Sequence, residues 1–274
     1  MIYIGTSGFS YEDWKGHFYP DKMAKKDMLA YYARSFDTVE VNSTYYTIPG
    51  QATFAAMDRK TPDDFQFVVK AHKDMTHADR PKQEVFDAFL GSITPLEESK
   101  KLGCILAQFP WSFKCTPENV ARLREFKDGV GDLPTVIEFR NAQWVNEETF
   151  DLLRSLDLGF CAVDEPHLKG LMPPVVEATS NIGYVRFHGR NAKKWWKHDQ
   201  AYERYDYLYT EDELAEWVPK VEDIDAHAQK TYLFFNNHYQ GKSARNAKMF
   251  AKMLGLPISF DETGPDQMTL GENF

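Results

Sequence analysis

The sequence predicts a single (β/α)8 barrel, and three observations carry that reading. Eight short apolar runs each end in a polar residue. Helix-like patterns fill nearly every gap between those runs. Seven steps take the chain from Thr6 to Asn236, about 33 residues each, the length of one βα unit.

The runs and gaps follow in order. Positions 2–5 form the first run and lead into Thr6-Ser7-Gly8; a helical pattern covers 27–36. In 38–42, Glu40 and Asn42 share the face opposite Val39 and Val41. A helix over 51–59 is followed by a Pro-Asp-Asp turn and the run 65–70. The next helix, 82–102, is expected to break near Pro95. Run 104–108 stops before Pro110, and a helix over 117–126 follows. In 135–140, Val136, Glu138 and Arg140 lie on one face. Asn146 suits an N-cap for a helix over 147–156, and run 160–164 ends in Asp164-Glu165-Pro166. The stretch 164–183 lacks a helical pattern and contains Pro173-Pro174, so the sixth helix is weak or missing. In 184–188, Tyr184, Arg186 and His188 oppose Val185 and Phe187. Thr210 and Glu213 read as a capping box ahead of a helix over 212–230. Run 232–236 closes the set, and 243–254 is helical. Gly103, Gly159 and Gly255 read as helix C-caps. One domain is expected over 1–274, with its core at about 2–254 and a tail at 255–274. The rival, an open doubly wound sheet, lacks its fingerprint, because Gly5-Thr6-Ser7-Gly8 is not GxGxxG.

A net charge of −9 argues against a global steering field for nucleic acid, so an anion site must be a local basic pocket. The three cysteines, Cys104, Cys115 and Cys161, are too scattered for a disulfide framework or a zinc knuckle. Met1-Ile2-Tyr3-Ile4 has no basic segment ahead of it, and no long apolar span follows. The expectation is a cytoplasmic protein with no membrane segment.

In such barrels the active site lies at the C-terminal ends of the strands. Here those ends are Thr6, Asn42, Lys70, Gln108, Arg140, Asp164, His188 and Asn236, all polar. A front face holding Arg186 and His188 cannot be ordinary core, because buried charge without partners is costly. Runs five to seven bring Glu138, Asp164, Arg140, Arg186 and His188 to one rim. A carboxylate beside a histidine suits acid/base work, and arginines suit bidentate capture of phosphate or carboxylate. The blander reading of Glu138 with Arg140 is a simple ion pair. Glu138, Asp164 and His188, with His72 or His77, also offer ligand types for a divalent metal. Neighbouring arginines disfavour a cation, so a site free of cofactors leads. Aromatics crowd the loops, among them Tyr45, Tyr46, Trp111, Trp195, Trp196, Tyr205 and Tyr207, and suit a mouth for a sugar or base. Lys193-Lys194-Trp195-Trp196-Lys197 reads as a lid rather than a nucleic-acid patch.

Several of these stretches carry a family resemblance. They are Gly5-Thr6-Ser7-Gly8-Phe9-Ser10-Tyr11 with Trp14, Val39-Glu40-Val41-Asn42-Ser43-Thr44-Tyr45-Tyr46, and Phe65 to Ala71 with Thr76-His77. Glu138-Phe139-Arg140 with Trp144, Arg186-Phe187-His188-Gly189-Arg190, Tyr205-Asp206-Tyr207 and Phe235-Asn236-Asn237 complete them. Together they resemble the YecE-like proteins, domain of unknown function 72, from about Ile2 to Leu254. The resemblance implies a TIM barrel and no particular reaction. The chain departs from it at Pro110-Trp111, where relatives often show two prolines.

The functional expectation is an enzyme, of hydrolase or isomerase type, acting on a small anionic substrate bearing phosphate or carboxylate. Glu138, Asp164 and His188 are its catalytic candidates. Lys70, Arg140, Arg186 and Arg190 are expected to grip the anion, and Asn42, Gln108, Tyr207 and Asn236 to orient the substrate. The alternatives are a metal-dependent hydrolase or isomerase at the same rim and a binding protein for single-stranded nucleic acid.

Overall fold

A computed structural model describes residues 1–257. Of the tail expected at 255–274, positions 258 onward lie outside the described residues. Eight parallel strands form the sheet: β1 (Ile2–Thr6), β2 (Thr38–Val41), β3 (Gln66–Lys70), β4 (Leu102–Gln108), β5 (Thr135–Glu138), β6 (Leu158–Asp164), β7 (Ile182–Phe187) and β8 (Lys230–Phe235). Their order is β1-β8-β7-β6-β5-β4-β3-β2, each strand beside its neighbour in sequence. This is a nearly closed (β/α)8 barrel.

The closing seam, β1 against β2, departs from a regular ladder. It holds one bridge, Ser7 to Glu40, with the Gly8 N–H on the Glu40 carbonyl at 2.8 Å. Further down, a side chain stands in for the missing rung. Tyr32 extends from helix α1 (Met28–Tyr32), and its hydroxyl donates to the Thr38 carbonyl at 3.0 Å. The same oxygen accepts the Thr6 N–H at 2.9 Å and the Thr6 hydroxyl at 3.0 Å. Gly5 is required there, since a Cβ would lie 2.3 Å from the Thr38 oxygen.

The outer helices are α2 (Gln51–Asp58), α3 (Lys73–Thr76), α4 (Gln83–Glu98), α5 (Pro117–Val130), α6 (Glu147–Ser155), α7 (Glu211–Ala215), α8 (Val218–His227) and α9 (Lys242–Met253). No helix lies between β6 and β7, as expected for the sixth connection. The Asn146 cap on α6 and the Thr210–Glu213 box on α7 form as the sequence predicts. The helix expected over 212–230 is instead two, α7 and α8, with Trp217 as the N-cap of α8.

Two local expectations fail for physical reasons. Helix α4 does not break, because Pro95 frees the carbonyl four residues back, on Gly91, and the Gln51 amide donates to it at 2.8 Å. Gly103 and Gly159 are not C-caps; both lie within strands. Lys100 and Asp157 take the left-handed conformation after those helices, with φ of 61° and 50°. Gly103 is small because a Cβ there would lie 2.5 Å from the Tyr232 hydroxyl. Gly255, at φ 66°, does follow α9. Among the described residues no helix is long and apolar enough to cross a membrane.

Candidate functional site

Strand parity decides which polar residues meet. Asn42, Lys70, Gln108, Arg140, His188 and Asn236 come to the barrel's C-terminal mouth, as the sequence predicts. Thr6 and Asp164 do not, since each points outward. Thr6 bonds Tyr32 of α1, whereas Ser7 reaches Arg186 at 3.4 Å. The Asp164 carboxylate meets Tyr209 at 2.7 Å, Trp217 at 2.7 Å and Arg190 at 2.7–3.1 Å. None of its hydrogen bonds or ion pairs involves Glu138, Arg140, Arg186 or His188. The proposed acid/base partnership of Asp164 with His188 therefore has no geometric basis. Arg190 belongs to this outer cluster and also pairs with Glu216 at 2.9 Å. Tyr207 bonds Glu213 at 2.5 Å beside it. Arg190 and Tyr207 thus serve the outer layer.

Besides Glu138, the carboxylates that join the interior are Glu40 and Glu165, which sequence reasoning left out of the site. Glu40 shares its face with Asn42, so the alternation that found Asn42 could have found it. Glu165 lies one residue beyond Asp164, on the opposite parity.

Arg186 is 1% exposed and paired with two acids through its Nη atoms, while its buried Nε has no hydrogen-bond partner among the described residues. Its Nη1 meets Glu138 Oε2 at 2.5 Å and its Nη2 meets Glu40 Oε1 at 2.6 Å. Tyr184 donates to Glu40 Oε2 at 2.7 Å, and Asn42 donates to Oε1 at 2.9 Å. Glu138 Oε1 forms an ion pair with Arg140 Nε at 2.6 Å and lies 3.0 Å from His188 Nε2. Arg140 Nη1 meets Glu165 Oε2 at 3.2 Å, and Glu165 Oε1 accepts the Met172 N–H at 2.9 Å. Carboxylates and guanidiniums thus alternate from Glu40 through Arg186, Glu138 and Arg140 to Glu165. Only Arg140, with 13% of its side chain exposed, reaches solvent along that chain. Its Nη2 makes no hydrogen bond among the described residues.

Burial alone would raise the Glu138 carboxyl, but Arg140 and Arg186 outweigh it and hold it well below the usual carboxylate range. Glu165 is pushed up to about 7 by burial, against the pull of Arg140. His188 is fully buried, and burial followed by Arg140 drives it down to about 3. It is a neutral imidazole. Asn236 Nδ2 lies 3.0 Å from its Nδ1, which assigns Nδ1 as acceptor and places the proton on Nε2, toward Glu138. Both ring nitrogens are occupied.

Lys70 differs from the other cations at the mouth. Its ammonium donates to Gln108 Oε1 at 2.8 Å and lies 4.6 Å from the Tyr45 ring centroid. Among the described residues no carboxylate pairs with it. Burial, with Arg186 adding, lowers it to about 7. Tyr45 is held by His77 at 3.2 Å, and burial and Lys70 lower that histidine to about 4. His72 caps α3 instead, accepting the Asp74 N–H at 3.3 Å. The metal ligands considered from sequence therefore do not converge as a set: Glu138 and His188 meet, but Glu138 already carries three cationic or N–H donors, and Asp164 faces elsewhere. Among the described residues no group of three His, Cys, Asp or Glu could hold a metal ion.

The chain has relatives among known proteins. The sequence matches the family described as "Protein of unknown function DUF72" over residues 3–268. It is 36% identical to the UPF0759 protein YunF of Bacillus subtilis, across 98% of this chain and all of that one. It is 30% identical to the UPF0759 protein YecE of Escherichia coli K12, across 57% of this chain and 55% of that one. A DUF72 family crystal structure from Thermotoga maritima superimposes with a TM-score of 0.86 at 42% identity, over 93% of this chain and 99% of its own. One from Enterococcus faecalis gives 0.83 at 32% identity, over 94% and 96%. The fold, the strand-end motifs and these matches agree: the chain belongs to the DUF72 family.

Proposed function

We propose that the barrel mouth is the active site of an enzyme that binds a small phosphate- or carboxylate-bearing substrate, with Lys70 and Arg140 as its anion grip. The observation that carries this reading is Lys70, whose ammonium meets only the Gln108 amide and the Tyr45 ring and pairs with no carboxylate among the described residues. Such a position is unfavourable for a protonated amine, and an arriving anion relieves it. Arg140 adds its unpaired Nη2 at the solvent-facing end of the network. Arg186 stands one layer below; paired with Glu40 and Glu138, it supports Arg140 through Glu138 and does not touch the ligand.

The acid/base role falls to Lys70. A group titrating near 7 can both donate and accept a proton at neutral pH. Glu138 is held as a carboxylate by two arginines, and His188 has no free nitrogen. Both position Arg140. Asn42, Gln108 and Asn236 line the same mouth and supply amides to orient the substrate. This chemistry fits a phosphoester hydrolase and an isomerase alike.

The test is calorimetric titration with inorganic phosphate and with malonate. Binding near pH 6.5 that weakens above pH 7 and disappears in Lys70→Met is the expected result. Undiminished binding by Lys70→Met, or none by the unaltered protein, removes the reading.

A further inference from the structure

Beside the mouth lies a groove that shares only Asn42 with the proposed chemistry. Its volume is about 750 Å³, within the range of small-molecule sites. The loops after β1 and β2 form one wall, and α1 and α2 form the other. Phe9, Leu29, Val41 and Met57 give it an apolar lining. Lys25, Lys26 and Lys60 also line it, and all three are exposed. Lys60 Nζ donates to the Lys26 carbonyl at 2.8 Å, which holds the Lys60 ammonium against the backbone at Lys26. Among the described residues none of them has a carboxylate partner. The lining contains no aspartate or glutamate, although acidic residues outnumber basic ones 41 to 32 in the chain. A single-sign polar lip over an apolar floor is complementary to one kind of molecule.

We infer that this groove is a second binding site, for a small soluble anion with an apolar body, its phosphate or carboxylate at Lys25, Lys26 and Lys60. The inference stands independently of the reading of the mouth. The two sites adjoin through Asn42, which lines the groove and bonds Glu40, and through Tyr46, which is 72% exposed and packs edge-on against Tyr45 at 5.0 Å. An apolar body on the floor strengthens binding about fourfold per buried methylene. The lysines are exposed, so their contribution is modest and screened by salt.

Octyl phosphate, below its micelle threshold, is the probe, with octanol and inorganic phosphate as references. Octyl phosphate should bind more tightly than either reference. Lys26→Gln with Lys60→Gln should weaken it severalfold, less so at high salt. Ala56→Trp, which fills the groove, should abolish the gain over inorganic phosphate. The lysine pair lies on the surface, and its folding can be checked by circular dichroism, so the test survives an unstable Ala56→Trp. Octanol binding as tightly as octyl phosphate, or octyl phosphate indifferent to both variants, overturns the assignment.

Discussion

Lys70→Met should make the protein more stable while removing the proposed anion site. In the folded chain the ammonium titrates near 7, against 10.5 for a free lysine. At neutral pH the fold must therefore hold a proton that it binds about three orders of magnitude more weakly than the unfolded chain does. Each pKa unit is worth about 1.4 kcal/mol, and methionine keeps the apolar stem while discarding the charge. The Gln108 bond and the Tyr45 ring contact, lost at the same time, give back about 1 kcal/mol together. The net gain at pH 7 is on the order of 2–4 kcal/mol. The sign follows from the depressed value: the penalty is complete below pH 7 and is relieved as pH rises toward 10, where the unfolded lysine also loses its proton. Urea unfolding of both proteins at pH 7 and pH 10 measures the effect. The unaltered protein should approach Lys70→Met in stability at the higher pH. A variant less stable than the parent at pH 7, with a gap that does not change with pH, would refute the account of Lys70 as a strained, unpaired cation.

Arg186→Met should cost about 3–5 kcal/mol, because it leaves Glu40 and Glu138 buried without their shared cation; a change under 1 kcal/mol in urea unfolding would contradict the network. Tyr32→Phe should cost about 2 kcal/mol by orphaning the buried Thr6 N–H and Thr38 carbonyl at the β1–β2 seam, and an unchanged unfolding midpoint would show the seam closes without it. Glu165, raised to about 7, favours the folded state most below its unfolded pKa and loses that contribution as pH rises through 7. Glu165→Gln should therefore flatten the stability profile between about pH 4.5 and 7, and an unaltered slope counts against the shift. Nitrogen chemical shifts of His188 should report a neutral ring with its proton on Nε2 from pH 5 to 8; any protonation step in that range is inconsistent with the pairing to Glu138 and Asn236.

The barrel was legible because its signals are local and repeat. Each strand run falls within two residues of the observed element, and caps at Asn146 and Thr210 mark helix starts whose physics needs only a few neighbours. The site was legible on strands where the reading placed the last inward residue correctly, as at Lys70, Gln108 and Asn236. It failed on β1 and β6, where the choice of Thr6 over Ser7 and of Asp164 over Glu165 was off by one. A period of two turns that small error into the opposite face of the sheet. Pairing was less legible still. Arg186 joins Glu40 across 146 positions and Glu138 across 48, and no periodicity reports contacts made through the barrel interior.

Those contacts explain why so charged a face can be buried at all. Glu40, Glu138 and Glu165 stand against Arg140, Arg186 and Lys70, three acidic groups against three basic ones, with Glu165 and Lys70 both titrating near 7. Buried charges of this density are tolerable only if each sign meets the other at hydrogen-bond distance. Five of the six do, in unbroken alternation from Tyr184 to the Met172 amide. The sixth, Lys70, is left with a neutral amide and an aromatic ring. A scaffold selected for stability alone would gain by replacing it with an apolar side chain. The imbalance therefore sits where barrel enzymes act, at the mouth, and the ion-paired residues beneath it hold Arg140 at the edge of the same opening. Rigid pairing below and one unmet charge above is the arrangement expected of a preorganised anion site.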